Sequence, residues 1–74
     1  MDDLLEILRD LHPDVDFLTC ETLIDDGILD SFDIVTIIAE ISDKFDVTVT
    51  ADEIVPENFN SAKALNKLLE RLMD

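Results

Sequence analysis

In 74 residues the chain sets nineteen acidic side chains against five basic ones, a formal charge of -14, which repels nucleic-acid backbones and anionic membranes and suits partners with basic surfaces. A chain of this length buries only ~60% of the surface its unfolded form exposes, so a single domain, 1–74, with a modest core is expected. Hydrophobic residues make up 47%, with four Phe and neither Trp nor Tyr, so the core is drawn from Leu, Ile and Val and favours a helical bundle.

Asp2 and Asp3 suit a helix N-terminus, and Leu4, Ile7, Leu8 and Leu11 follow at helical spacing. Pro13 disfavours helical backbone at His12 and ends this first helix near Leu11. From Pro13 to Asp30 the periodicity is lost, while Val15, Phe17, Leu18, Leu23, Ile24, Ile28 and Leu29 recur among the acids. So long a connection in a compact domain is more often functional than idle. It reads as a loop, with at most a short helical turn, pinned to the core by those side chains; Gly27 allows a turn just before the next helix.

Asp30 or Ser31 caps a second helix running to about Phe45, whose Ile34, Ile37, Ile38, Ile41 and Phe45 form one apolar stripe. The β-branched Val47, Thr48 and Val49 make Asp46 to Thr50 an extended connector. Thr50, with Glu53 three residues on, resembles a capping box opening a brief third helix through Ile54, and Pro56 limits its length. Asn60 or Ser61 caps a fourth helix with Ala62, Leu65, Leu68, Leu69 and Leu72 as its apolar face and Arg71 near its C-terminus. Phe59 is placed to staple against Ala64. The predicted fold is all-α: three principal helices, one minor helix and a long first loop.

Chemistry has few candidates. One His, one Cys and many carboxylates are a thin inventory for moving protons, so the chain is not expected to be an enzyme. His12 reads as a residue meeting the dipole at a helix C-terminus. Cys20 has no partner for a disulfide and no Cys or His company for zinc, and Asp25, Asp26 and Asp30 lack the alternating ligand spacing of an EF-hand, so no metal site is expected. No charged-then-apolar leader opens the chain and no apolar run approaches membrane-spanning length, so neither secretion nor membrane insertion is expected and a cytoplasmic location follows. Self-repulsion opposes compaction, and added salt or Mg2+ should raise the melting temperature.

The informative segment is Leu29-Asp30-Ser31-Phe32-Asp33-Ile34-Val35. Taken alone, Asp-Ser before an apolar helix is a common cap. A serine in the first helical turn also places its hydroxyl by unpaired backbone N–H groups and the positive end of the dipole, where a phosphate ester is stabilised. Asp30 beside it is suited to help hold a divalent cation brought by a modifying enzyme. At ~100° per residue, Phe32, Val35, Ala39 and Ser42 cluster in a strip outside the core stripe. Asp33 and Glu40 lie on the opposite flank with Lys44, and Thr36 and Asp43 between. Acids beside an apolar strip suit a partner carrying Arg or Lys around a hydrophobic patch; the alternative is that Phe32 packs under the long loop.

Gly27, Asp30-Ser31-Phe32, the Ile/Val run of 34 to 41, Phe45 and the Leu-rich closing helix stand in the order found in acyl carrier proteins. The chain resembles that family over nearly its whole length. The resemblance implies a monomeric four-helix carrier with a short third helix, whose Ser31 receives 4'-phosphopantetheine from coenzyme A by the action of a phosphopantetheinyl transferase. The arm's thiol would then carry an acyl or aminoacyl group as a thioester between loading and transfer enzymes with basic docking surfaces. By distance from Ser31, it implies that Asp30, Phe32, Val35, Thr36 and Asp43 form the recognition surface, with Asp33 joining them from the acidic flank. Phe32 stands where Leu is commonest, and Thr36 and Ser42 are uncharged where fatty-acid carriers usually have Glu. Asp-Ser-Phe after Gly-Ile-Leu, and the segment from Ile54 to Asn60, also resemble D-alanyl carrier proteins of teichoic acid modification. Fatty acid, polyketide, peptide and D-alanine cargoes therefore stay open, as does an unmodified acidic interaction module with Ser31 as a mere cap.

Overall fold

The computed structural model describes residues 2–73. Among these residues four α-helices follow one another: α1 Asp2–Leu11, α2 Ser31–Phe45, α3 Pro56–Phe59 and α4 Ala62–Met73, with a 3-10 turn at Ala51–Glu53. No strand occurs among the described residues. The all-helical, carrier-like bundle predicted above is the fold observed. Helix α1 lies against both α2 and α4, and α3 packs on α4.

The core follows the helical stripes. Leu4, Leu5, Ile7 and Leu8 of α1, Ile37 and Ile41 of α2, and Ala62, Leu65, Leu68 and Leu69 of α4 are buried together. At the edges of the stripes Leu11, Ile34, Ile38, Phe45 and Leu72 are only partly buried. The loop between α1 and α2 is held as expected by Phe17, Leu23 and Leu29, all buried, and by Val15, Ile24 and Ile28 at the margin. Leu18 departs from that expectation: it is exposed, because the turn at Asp16, whose carboxylate accepts the Leu18 N–H, directs the neighbouring Phe17 inward instead. The loop holds single turns and no helix.

The connection from α2 to α4 differs from the sequence reading in two respects. Thr50 precedes the 3-10 turn without capping it; its hydroxyl donates to the Asp52 carboxylate. Glu53 does not reach back, because its carboxylate accepts instead from Asn58 Nδ2 and from Arg71, each at 3.4 Å. The brief helix expected through Ile54 is only the 3-10 turn ending at Glu53, short of Pro56, and Pro56 in addition starts α3, where its missing N–H has no partner to lose. Of the two capping candidates for α4, Ser61 is the one used, its Oγ accepting the Ala64 N–H at 3.0 Å.

Candidate functional site

The start of α2 is built by a reciprocal cap. Asp30 has extended backbone, its carboxylate accepts the Asp33 N–H at 2.9 Å, and the Asp33 carboxylate accepts the Asp30 N–H at 3.3 Å. Two orphan donors of the helix end are satisfied in this way. Asp30 is therefore the cap, and Ser31 is the first helical residue. Ser31 is exposed, and its hydroxyl is not used to cap its own helix.

A side chain that sequence reasoning did not connect to this site completes it. His12 extends the hydrogen bonding of α1 by one residue, its N–H donating to the Leu8 carbonyl at 3.0 Å. Its imidazole Nε2 lies 2.9 Å from Asp33 Oδ2, with the two side chains 29% and 17% exposed. An ionised carboxylate offers only acceptors, so Nε2 carries the hydrogen. This hydrogen bond is the main cause that holds the Asp33 carboxyl below its ordinary pKa; partial burial opposes it, and the Asp30 N–H and the charge of His12 reinforce it. The two residues are 21 positions apart, and no local pattern announces the contact.

The chain reaches α2 along a pinned path. Gly27 has φ of 70°, a left-handed conformation that glycine adopts without steric cost. Leu29 N–H donates to the Leu23 carbonyl and Leu23 N–H to the Asn60 carbonyl, both at 2.9 Å. Asn60 Oδ1 accepts from Ile24 N–H at 2.9 Å and from Asp25 N–H at 3.1 Å. Asn60, passed over as the cap of α4, thus ties the loop before Ser31 to the α3–α4 junction.

The strip beside Ser31 is open to solvent. Phe32 is 76% exposed and Val35 65%, so Phe32 does not pack under the loop. Ala39, Glu40 and Asp43 are exposed around them, and Thr36 is half-buried with its hydroxyl donating to the Phe32 carbonyl at 3.0 Å. Among the predicted recognition residues, Asp30 and Asp33 have their carboxylates engaged within the chain, Asp30 by the Asp33 N–H and Asp33 by the Asp30 N–H and His12.

The cavity between α1 and α2, lined by Ile7, Asp10, Leu11, Thr36 and Glu40, measures about 110 Å³, below the ~300–1,000 Å³ of ordinary ligand pockets. A larger open groove of about 490 Å³ includes Leu4, Phe45, Leu69 and Met73; Phe45 is the last residue of α2, about 21 Å along the helix from Ser31. Among the described residues no three His, Cys, Asp or Glu side chains are grouped to hold a metal ion.

No family model matches the chain, and no solved structure matches it. Curated relatives do. The chain is 34% identical over 73 residues to a D-alanyl carrier protein of Streptococcus mutans, covering 97% of this chain and 89% of the relative. It is 35% identical over 69 residues to the D-alanyl carrier protein of Streptococcus sanguinis, covering 92% and 84%, and 33% identical over 72 residues to that of Streptococcus suis, covering 96% and 87%. The chain belongs to the D-alanyl carrier protein family. Members are phosphopantetheine carriers, so the chain has a carrier role, and carriers work by interacting with modifying and transfer enzymes without being catalytic themselves. No helix among the described residues is long and apolar enough to cross a membrane.

Proposed function

We propose that this chain carries D-alanine as a thioester on a 4'-phosphopantetheine arm attached to Ser31. The observation that carries the reading is the division of labour at the start of α2, in a chain of this family: Asp30 caps, and the adjacent Ser31 is exposed with its hydroxyl outside the cap. The residues fit such an arm. The first-turn N–H groups and the positive end of the helix dipole stabilise a phosphodiester at that position. When bound, the arm supplies the thiol that holds the cargo.

The chain's own residues do the presenting. Asp30 and Asp33 fix the turn, each through one carboxylate oxygen. Phe32 and Val35 give client enzymes an apolar contact, and Glu40 and Asp43 meet basic residues around it. The relatives are named D-alanyl carrier proteins, which supports D-alanine as the cargo, and the small cavity between α1 and α2 accords with a cargo that needs no shelter in the bundle.

Intact-protein mass spectrometry tests this. The chain is incubated with coenzyme A, Mg2+ and a broad-specificity phosphopantetheinyl transferase, then with ATP, D-alanine and a D-alanine-activating ligase. Wild type should gain one arm and then one alanyl group, and Ser31→Ala neither. An arm that accepts fatty acyl groups and not D-alanine would overturn the cargo, and no arm from several active transferases would favour an unmodified interaction module.

A further inference from the structure

We infer that His12 is a positioning residue for the modification of Ser31, acting across the helix interface through Asp33. This inference rests on the reading of Ser31 as the attachment site. A capping box is normally local, and its members lie within one helical turn. Here the box has a third member from another element. Nε2 of His12 lies 2.9 Å from Asp33 Oδ2, the same oxygen that accepts the Asp30 N–H. The shared oxygen places three residues in one chain of contacts: His12 at the end of α1, Asp33 in the first turn of α2, and Asp30 directly before Ser31.

The consequence is mechanical. The first turn of an isolated helix frays because its donors lack partners. With Asp33 held from α1, its side chain is restrained in the rotamer that returns to the Asp30 N–H, and the backbone on both sides of Ser31 is held in one conformation. Losing His12 leaves Asp30 and Asp33 able to pair, but only for part of the time. A partner that must find Ser31 in its helical position then meets the competent state less often, which weakens apparent affinity by the fraction lost and leaves the step after binding unchanged. The expected signature is therefore a rise in KM with little change in kcat.

The test uses wild type, His12→Ala, His12→Gln, Asp33→Ala and the His12→Ala/Asp33→Ala double variant. Steady-state arm transfer from coenzyme A is followed by mass, and amide hydrogen exchange is measured along α2. For His12→Ala, the Asp33 amide should exchange about tenfold faster, the net scale of one hydrogen bond, and KM for the carrier should rise by the competent fraction lost, up to about fivefold. Exchange at Ile41 should change less than about twofold. His12→Gln, which keeps a donor near the position of Nε2, should recover most of both effects. In the Asp33→Ala background, removing His12 should add nothing. Uniformly faster exchange along α2, no recovery by Gln, or additive effects in the double variant would overturn the inference. Failure of wild type to accept the arm at all would overturn the Ser31 reading instead, and the exchange data would still report whether His12 holds the turn.

Discussion

Two serines stand at the starts of two helices in this chain, and they are used in opposite ways. Ser61 precedes α4 and is its cap, with Oγ accepting the Ala64 N–H. Ser31 is inside α2, directly after the capping Asp30 and between it and Asp33, the other member of the box. The same residue type, in almost the same local setting, is structural in one case and available in the other. What separates them is the preceding residue. Asp30 takes the capping work away from Ser31, whereas Asn60 is engaged with the backbone at Ile24 and Asp25 and leaves the work to Ser61. A hydroxyl is free for modification when something else satisfies the helix end.

The sharpest way to break this comparison is to remove each hydroxyl. Ser31→Ala should abolish arm attachment while changing stability by no more than ~0.5 kcal/mol, the range of surface substitutions that remove no cap. Ser61→Ala should be loaded normally and lose ~1 kcal/mol, the usual cost of a lost side-chain cap. Mass spectrometry and urea denaturation read the two results. A Ser61→Ala variant that fails to load while remaining folded would end the distinction.

Asn60 links the two regions, and its loss should have the largest effect on stability. Asn60→Ala strips the acceptor from two backbone N–H groups, one of them part-buried, at a cost of ~1–3 kcal/mol. Amide exchange should accelerate at Ile24 and Asp25 and at Leu29, where the loop meets α2. If exchange there matched wild type, Asn60 would not be what fixes the approach to Ser31. Asp30→Ala should follow at ~1–2 kcal/mol, and Asp30→Asn, which keeps an acceptor, should recover most of it; any loading deficit left in Asp30→Asn then reports the charge.

The principal helices are legible because their apolar residues recur with the helical period: of the α4 face predicted from Ala62, Leu65, Leu68, Leu69 and Leu72, the first four are buried and Leu72 partly so. The competition between Asp30 and Ser31 for the cap has a readable signal. Three residues after Asp30 comes Asp33, which can answer a capping box; three after Ser31 comes Ile34, which cannot. The converse happened at Thr50 and Glu53, where the pattern was present and the box did not form, because Asn58 and Arg71 engage Glu53 from later in the chain. His12 with Asp33, and Asn60 with Ile24, are separated by 21 and 36 residues. Contacts of that range follow from how helices and loops pack, and periodicity carries no trace of them.

The smallest expected effect separates the two helix starts by acid. Asp33 has its pKa lowered in the folded chain from 3.8, chiefly by the hydrogen bond from His12. A lowered carboxyl stabilises the fold above its unfolded pKa, and that contribution is lost as pH falls through the lower folded value. Protonation of the many other carboxylates relieves self-repulsion over the same range, so the absolute melting temperature mixes two opposed trends. Differences between variants remove the shared one. The deficit of Asp33→Asn relative to wild type should therefore be greatest near about pH 5 and shrink as pH is taken below the ordinary carboxylate value. The deficit of Ser61→Ala should stay constant, since a hydroxyl cap has no proton to gain in that range. Thermal melts of the three proteins across the acid range decide it: parallel deficits would mean that the Asp33 contacts are no stronger folded than unfolded, and that the start of α2 is held by Asp30 alone.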